Sequence, residues 1–179
     1  MTLHRLPDYI SPGVEILFVG INPGLRSAQT GHHFAGYSNR FWKLLFQSTL
    51  ISEPLTYQED WRLPEWKLGI TNIISRPSAG IDALSPIEYR RGRAGLERKL
   101  ARFQPRLVAL LGVTILRILF PNEHHAELGL TRVHLAATPI FLLPNPSGRN
   151  AHYSYAHMLA AFRSLRATIH VPATTSVAE

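Results

Sequence analysis

Four short apolar runs, each closed by a turn signal, constrain this chain more than any other feature. They are Val14–Val19 (VEILFV), Leu68–Ile74 (LGITNII), Leu107–Leu111 (LVALL) and Ile140–Leu143 (IFLL). They hardly alternate with polar residues, which is the pattern of strands covered on both faces. Helical patterns lie between them. Ser38 is a candidate cap for a helix running to about Leu50, with Phe41, Leu44, Leu45 and Ser48 on one face. Ser85-Pro86-Ile87-Glu88 is a capping box with Pro at the first helical position. Its helix is expected to run to about Phe103, burying Leu96, Leu100 and Phe103. A short helix over Thr114–Phe120 and a last one over about Ala151–Ala167 complete the set. The last carries Tyr155, Leu159, Phe162 and Leu165 on one face. This alternation predicts an α/β fold with a mainly parallel sheet and helices on both faces.

A length of 179 residues suits one domain, read here as 1–179 with a core of about 12–169 and a loose tail over 170–179. The chain has no cysteine, which excludes disulfides, iron–sulfur clusters, Cys-based zinc sites and a Cys nucleophile. No apolar run approaches the roughly 20 residues of a membrane span, so no membrane partner is expected. The opening MTLHRLPDYISPG lacks the apolar core of a signal peptide, and cytoplasm or nucleoid is the expected location. The net charge of +7 suits a polyanionic partner.

Open parallel sheets bind ligands at the carboxyl ends of their strands. The first run ends in Gly20-Ile21-Asn22-Pro23-Gly24, which is either a plain turn or a stiff loop aiming Asn22 into a cleft. The second run ends in Asn72, then Ser75-Arg76-Pro77-Ser78-Ala79-Gly80. The Asn72 amide either satisfies nearby backbone or reads the polar edge of a base. The fourth run ends in Pro144-Asn145-Pro146-Ser147-Gly148-Arg149, a rigid loop finishing in a cation. Phe34, in Gly31-His32-His33-Phe34-Ala35-Gly36, either closes a small loop cluster or stacks on a base.

Other chemistry is absent. There is no phosphate-loop motif, no dinucleotide fingerprint and no nucleophile elbow. No carboxylate pair stands at the strand ends, where Asp82 and Glu88 belong to a loop and a helix start. Adjacent His32 and His33 do not converge on one ion, so no metal is expected. The helix from Ser85 carries six cations (Arg90, Arg91, Arg93, Arg98, Lys99, Arg102) against Glu88 and Glu97, which reads as a solvated face or a phosphate contact.

Taken together these segments resemble the mismatch-specific uracil/thymine DNA glycosylases. The likeness runs from about Val14 to Arg166. It rests on GINPGLRSAQTGHHFAGYSNRFWKLLF at 20–46, GITNIISRPSAG at 69–80, QPRLVALLG at 104–112 and LPNPSGR at 143–149. The resemblance implies a three-layer α/β/α fold. It implies a monomer that removes uracil from double-stranded DNA, preferentially opposite guanine, and leaves an abasic site without cofactor or metal. The target base must leave the duplex to be reached.

In this likeness Asn22 positions the attacking water, and Gly20, Pro23 and Gly24 shape its loop. Phe34 stacks on the flipped base, while backbone around Ile21 and Asn72 read its edge. Ser27 and Ala28 form the wall facing the base's 5-position. Asn145, Pro146, Ser147, Gly148 and Arg149 form the loop that enters the duplex, with Arg149 as the wedge. An amide is a poor base, so slow chemistry is expected. Retention of Asn145, where a single-strand-selective relative has His, favours the mismatch branch. The competing readings are a glycosylase of broader or single-strand preference, a non-catalytic lesion binder on the same fold, and a small-nucleotide-binding domain.

Overall fold

The computed structural model describes residues 3–170. Five strands form one sheet: β1 (Ile16–Gly20), β2 (Leu68–Asn72), β3 (Leu107–Leu111), β4 (Gly129–Leu135) and β5 (Thr138–Leu143). Their spatial order is β2-β1-β3-β5-β4, and only β4 runs antiparallel, against β5. The helices are α1 (Leu25–Thr30), α2 (Phe41–Gln47), α3 (Pro86–Phe103), α4 (Val113–Leu119) and α5 (Tyr155–His170). Two 3-10 segments, Tyr57–Trp66 and Ile81–Ala83, lie in the connections.

The apolar runs are strands because both faces are covered. Every residue of β1 and β3 is buried. Phe18 of β1 meets Phe41 of α2 edge-on at 5.2 Å and stacks on Phe162 of α5 at 6.3 Å. Its neighbour Val19 pairs in register with Thr71, whose hydroxyl meets Lys99 of α3 on the other face. So α2 and α5 share one face, and α3 packs with α4 on the opposite one. Burying each such large side chain contributes about 1.5–3 kcal/mol.

The α/β/α architecture is as expected, with local corrections. Strand β4 was not foreseen, because its residues alternate between half-buried and exposed, with Leu130 60% exposed. Its turn to β5 uses Ala136 and Ala137, both at positive φ (47° and 67°), so the usual Asn-Gly hairpin signal is missing. Helix α1 and the 3-10 segments are likewise additions. Ser38 does not cap α2. Arg40 is the N-cap residue, and Asn39 Oδ1 accepts from the Phe41 N–H instead. Helix α5 begins at Tyr155, not Ala151, because Ser154 accepts from the His157 and Met158 N–H groups. Phe103 is only half-buried.

The capping box of α3 is present, with Ser85 and Glu88 bonding each other's backbone N–H. The segment before residue 12 is also pinned. Tyr9 bridges Ile70, and Asp8 meets Thr71 and Lys99. Helix α5 extends through His170; the rest of the expected tail, 171–179, lies outside the described residues.

Candidate active site

The sheet order reverses between β1 and β3, so a crevice opens where their carboxyl ends diverge. A cavity of about 480 Å³ lies there, a size suited to a small ligand such as a base. Of the residues singled out in the sequence, Gly20, Ile21, Asn22, Pro23, Gly24, Ser27, Phe34, Asn72, Asn145, Ser147, Gly148 and Arg149 all line it. Pro146 does not. It is buried behind the wall, where its carbonyl accepts from Arg40 N–H at 3.0 Å.

Asn22 is oriented by its nitrogen. Nδ2 donates to Ser78 Oγ at 2.8 Å, and lies 3.1 Å from the Arg76 carbonyl and 3.2 Å from the Pro23 carbonyl. Ser78 spends its own hydroxyl proton on the Gly80 carbonyl at 2.7 Å, so it accepts from Asn22. Three acceptors around one nitrogen leave a single orientation of the amide. Oδ1 therefore remains as an acceptor with no bond among the described residues. The loop is stapled to the one after β2 by Ile73 N–H to Gly20 carbonyl, Ile74 N–H to Ile21 carbonyl and Ser78 N–H to Pro23 carbonyl.

Arg76 is itself fixed. Its guanidinium bonds both carboxyl oxygens of Glu88, at 2.7 and 3.0 Å, and the Ala83 carbonyl at 2.9 Å. The guanidinium, with the Ser85 N–H and hydroxyl, holds the Glu88 carboxyl down at about 2. A helix-capping residue thus steadies the carbonyl that orients Asn22. Ser78 and Arg76 stood in a quoted motif, but nothing in one sequence assigned them this role.

Phe34 occupies the left-handed region (φ 52°) and lies on Phe41 with ring centroids 4.4 Å apart. A bulky residue holds that conformation only when its surroundings impose it. Here they do. Asp60, fully buried, accepts from His33 N–H at 2.8 Å and from His32 Nδ1 at 3.0 Å. Trp42 Nε1 donates to the His33 carbonyl, and His33 Nε2 donates to the Pro7 carbonyl. On the far side Ser27 Oγ accepts from Ala35 N–H, and Arg26 Nε donates to the Ala35 carbonyl.

Phe34 stands between two bonded peptides, and its own N–H makes no hydrogen bond among the described residues. The two histidines diverge, one to Asp60 and one to Pro7. Burial pushes the His33 imidazole below its usual range, so it is neutral. Asp60 was not a sequence candidate, because it comes from a 3-10 segment with no motif of its own.

Gly20 leaves space that the Asn72 side chain uses. A Cβ there would lie 2.6 Å from Asn72 Oδ1 and 3.7 Å from the Phe34 ring. The Asn72 side chain, at the end of β2, makes no hydrogen bond among the described residues. Its register partner Gly20 leaves room for it in the cavity. Ser27 and Ala28 are buried on α1, and Ser27 contributes to the wall.

The loop after β5 closes the other side. Asn145 Oδ1 accepts from Ser147 N–H, and Asn150 Nδ2 donates to the Asn145 carbonyl. At Gly148 a Cβ would fall 2.1 Å from Ser38 Oγ, so only glycine permits this approach to the segment before α2. Arg149 is exposed, and its guanidinium reaches the Ala79 carbonyl across the mouth at 3.4 Å. No group of three or more His, Cys, Asp or Glu able to hold a metal occurs among the described residues.

The chain is an α/β protein whose parallel sheet opens at its carboxyl edge into a crevice with an oriented amide, a half-buried aromatic ring and an exposed arginine. The family model of the uracil DNA glycosylase superfamily matches residues 7–166, and the chain belongs to that superfamily. That places it among the DNA N-glycosylases, hydrolases that excise uracil from DNA. The fold is also that of a provisionally assigned uracil DNA glycosylase of Methanosarcina acetivorans, solved in solution by NMR. The TM-score is 0.59 at 17% identity, covering 93% of this chain and 99% of that one. No helix among the described residues is long and apolar enough to cross a membrane.

Proposed function

We propose that this protein is a monofunctional uracil glycosylase that prefers G·U mismatches in double-stranded DNA and acts as a monomer. The observation that carries the reading is the single orientation of the Asn22 amide. With Nδ2 spent on Arg76, Pro23 and Ser78, Oδ1 is free to accept a hydrogen bond from one water and hold it against the sugar C1′. As the glycosidic bond breaks, the electron pair leaves with uracil and the water oxygen joins C1′. The water gives up its proton to solvent.

The pocket acts on the leaving group. Phe34 stacks on uracil, and the unbonded Phe34 N–H and Asn72 amide face its polar edge. Donors fixed before the reaction stabilise the developing anion without reorganisation. An amide takes no proton in the transition state, so turnover is slow. A G·U wobble costs less to open than a Watson–Crick pair, which favours the mismatch. Ser27 faces the 5-position, and one methyl there is worth only about 1–3 kcal/mol. Thymine is therefore a poor substrate, not an excluded one. Arg149 fills the gap left by the flipped nucleotide and bonds the orphaned guanine.

The test is alkaline strand cleavage of end-labelled duplexes carrying G·U, A·U, G·T or G·C, with single-stranded U beside them. Cleavage of G·U above A·U, nearly abolished in Asn22→Ala, is the expected result. Equal cleavage of single-stranded U would replace the mismatch reading by a broader one. No cleavage at enzyme excess would replace it by lesion binding.

A further inference from the structure

We propose that Tyr37 and Arg26 form a second stacking platform, at the rim of the cavity, for a nucleobase beside the one that is excised. This rests on the glycosylase reading above. Tyr37 is 90% exposed, far more than any other large hydrophobic side chain among the described residues. Its ring is thus left almost wholly accessible to a planar partner.

The position is also held. The Arg26 guanidinium lies 3.5 Å from the centre of the Tyr37 ring. Arg26 is anchored by its Nε, which donates to the Ala35 carbonyl at 2.7 Å. It forms no ion pair with a carboxylate among the described residues, so its charge remains available. A guanidinium against one face of the ring leaves the other face open for a planar partner.

Both side chains line the cavity that holds Asn22 and Phe34. Phe34 is half-buried within, and Tyr37 stands three residues further along the same loop, outside. That loop is tied to the one after β5 by Arg40 N–H to the Pro146 carbonyl and by the Ser38–Gly148 approach. Tyr37 therefore sits on a loop at the mouth that is fastened to the loop after β5 just beyond it. When a nucleotide leaves the helix for Phe34, its neighbours lose a stacking partner. An exposed ring at the rim supplies one, and the adjacent arginine adds charge attraction to the strand. Stacking on an aromatic face tolerates any base, so no sequence preference next to the lesion is expected.

The experiment uses duplexes carrying an abasic-site analogue opposite guanine, with 2-aminopurine next to it on the same strand. Wild type, Tyr37→Ala, Tyr37→Phe and Trp61→Ala are compared. Trp61 is an exposed aromatic that does not line the cavity. Wild type, Tyr37→Phe and Trp61→Ala are expected to bind alike and to quench 2-aminopurine. Tyr37→Ala is expected to bind about tenfold more weakly and to lose the quench. On G·U substrate its loss should fall on KM more than on kcat.

Unchanged affinity in Tyr37→Ala, or an unchanged quench, would overturn the platform. So would an equal loss in Tyr37→Phe, which would assign the effect to a hydroxyl–phosphate contact. Wild-type protein that quenches and binds but excises no uracil would remove the glycosylase reading and leave the platform standing.

Discussion

The inner wall of the cavity and its rim are built on opposite plans. On the inner wall Asn22 and Phe34 are held by bonds they do not themselves need for chemistry. Asn22 has three acceptors on its nitrogen, and Phe34 has bonded peptides before and after it. At the rim Tyr37, Asn145 and Arg149 are exposed: Arg26 lies against one face of Tyr37, Asn145 Oδ1 accepts from Ser147 N–H, and Arg149 has one long contact to a carbonyl. The difference follows from what each must meet. In the proposed reaction the wall acts on a transition state, which tolerates little displacement. In that proposed reaction the rim meets a duplex, which brings its own charges and bases.

The largest break in this comparison is Asn22→Ala. Excision of uracil from G·U should fall by about 100-fold or more, while affinity for an abasic duplex changes little. Ser78→Ala removes one of the three acceptors and should cost kcat a few-fold with KM held. A Ser78→Ala enzyme at full rate would show that the collar around Nδ2 is not what orients the amide.

Next comes the support of the Phe34 loop. Asp60→Ala leaves the buried His33 N–H without a partner, at a cost of about 1–3 kcal/mol. For a chain of this size that is a fall in Tm of roughly 2–4 °C per kcal/mol. Since Phe34 loses its mooring, KM for G·U should rise as well. Thermal melts beside steady-state kinetics separate the two effects. A lower Tm with unchanged KM would make Asp60 a stabilising residue only.

At the rim, Arg149→Ala should slow excision from G·U about tenfold and from A·U less, because only the mismatch leaves a guanine for the guanidinium to bond. Equal losses on both substrates would instead mark a phosphate contact, and the slope of log affinity against log salt would fall by about one.

The smallest effects are those of pH. The Glu88 carboxyl, held at about 2 by Arg76 and Ser85, supports the fold above the ordinary carboxylate pKa and loses that support as pH falls through about 2. Stability from this pair should be flat between pH 5 and 8. His33 works in a higher window. Its pKa is lowered by burial, so the unfolded chain takes up a proton first as pH drops below about 6.5, and stability falls there. Melts from pH 7 to pH 5 should show that slope in wild type and lose it in His33→Gln.

The sequence by itself determined the sheet, because a strand covered on both faces must be apolar throughout, and β1, β3 and β5 read that way. It also determined where the cavity lies, since crevices of such sheets form at the strand ends and the GINPG and NPSGR loops follow two of them. Capping of α3 was legible because a capping box is local. What tertiary structure decided is whatever depends on partners far apart in sequence. Edge strand β4 alternates and turns through two alanines, so no local signal marked it. Instead of capping α2, Ser38 packs against Gly148, where a Cβ would fall 2.1 Å from the Ser38 hydroxyl oxygen. The orientation of Asn22 waits on Arg76 and Ser78, 54 and 56 residues away. The post under Phe34 is a carboxylate from a 3-10 segment with no motif. Hydrogen bonds of that range carry no periodicity, so only the folded chain reveals them.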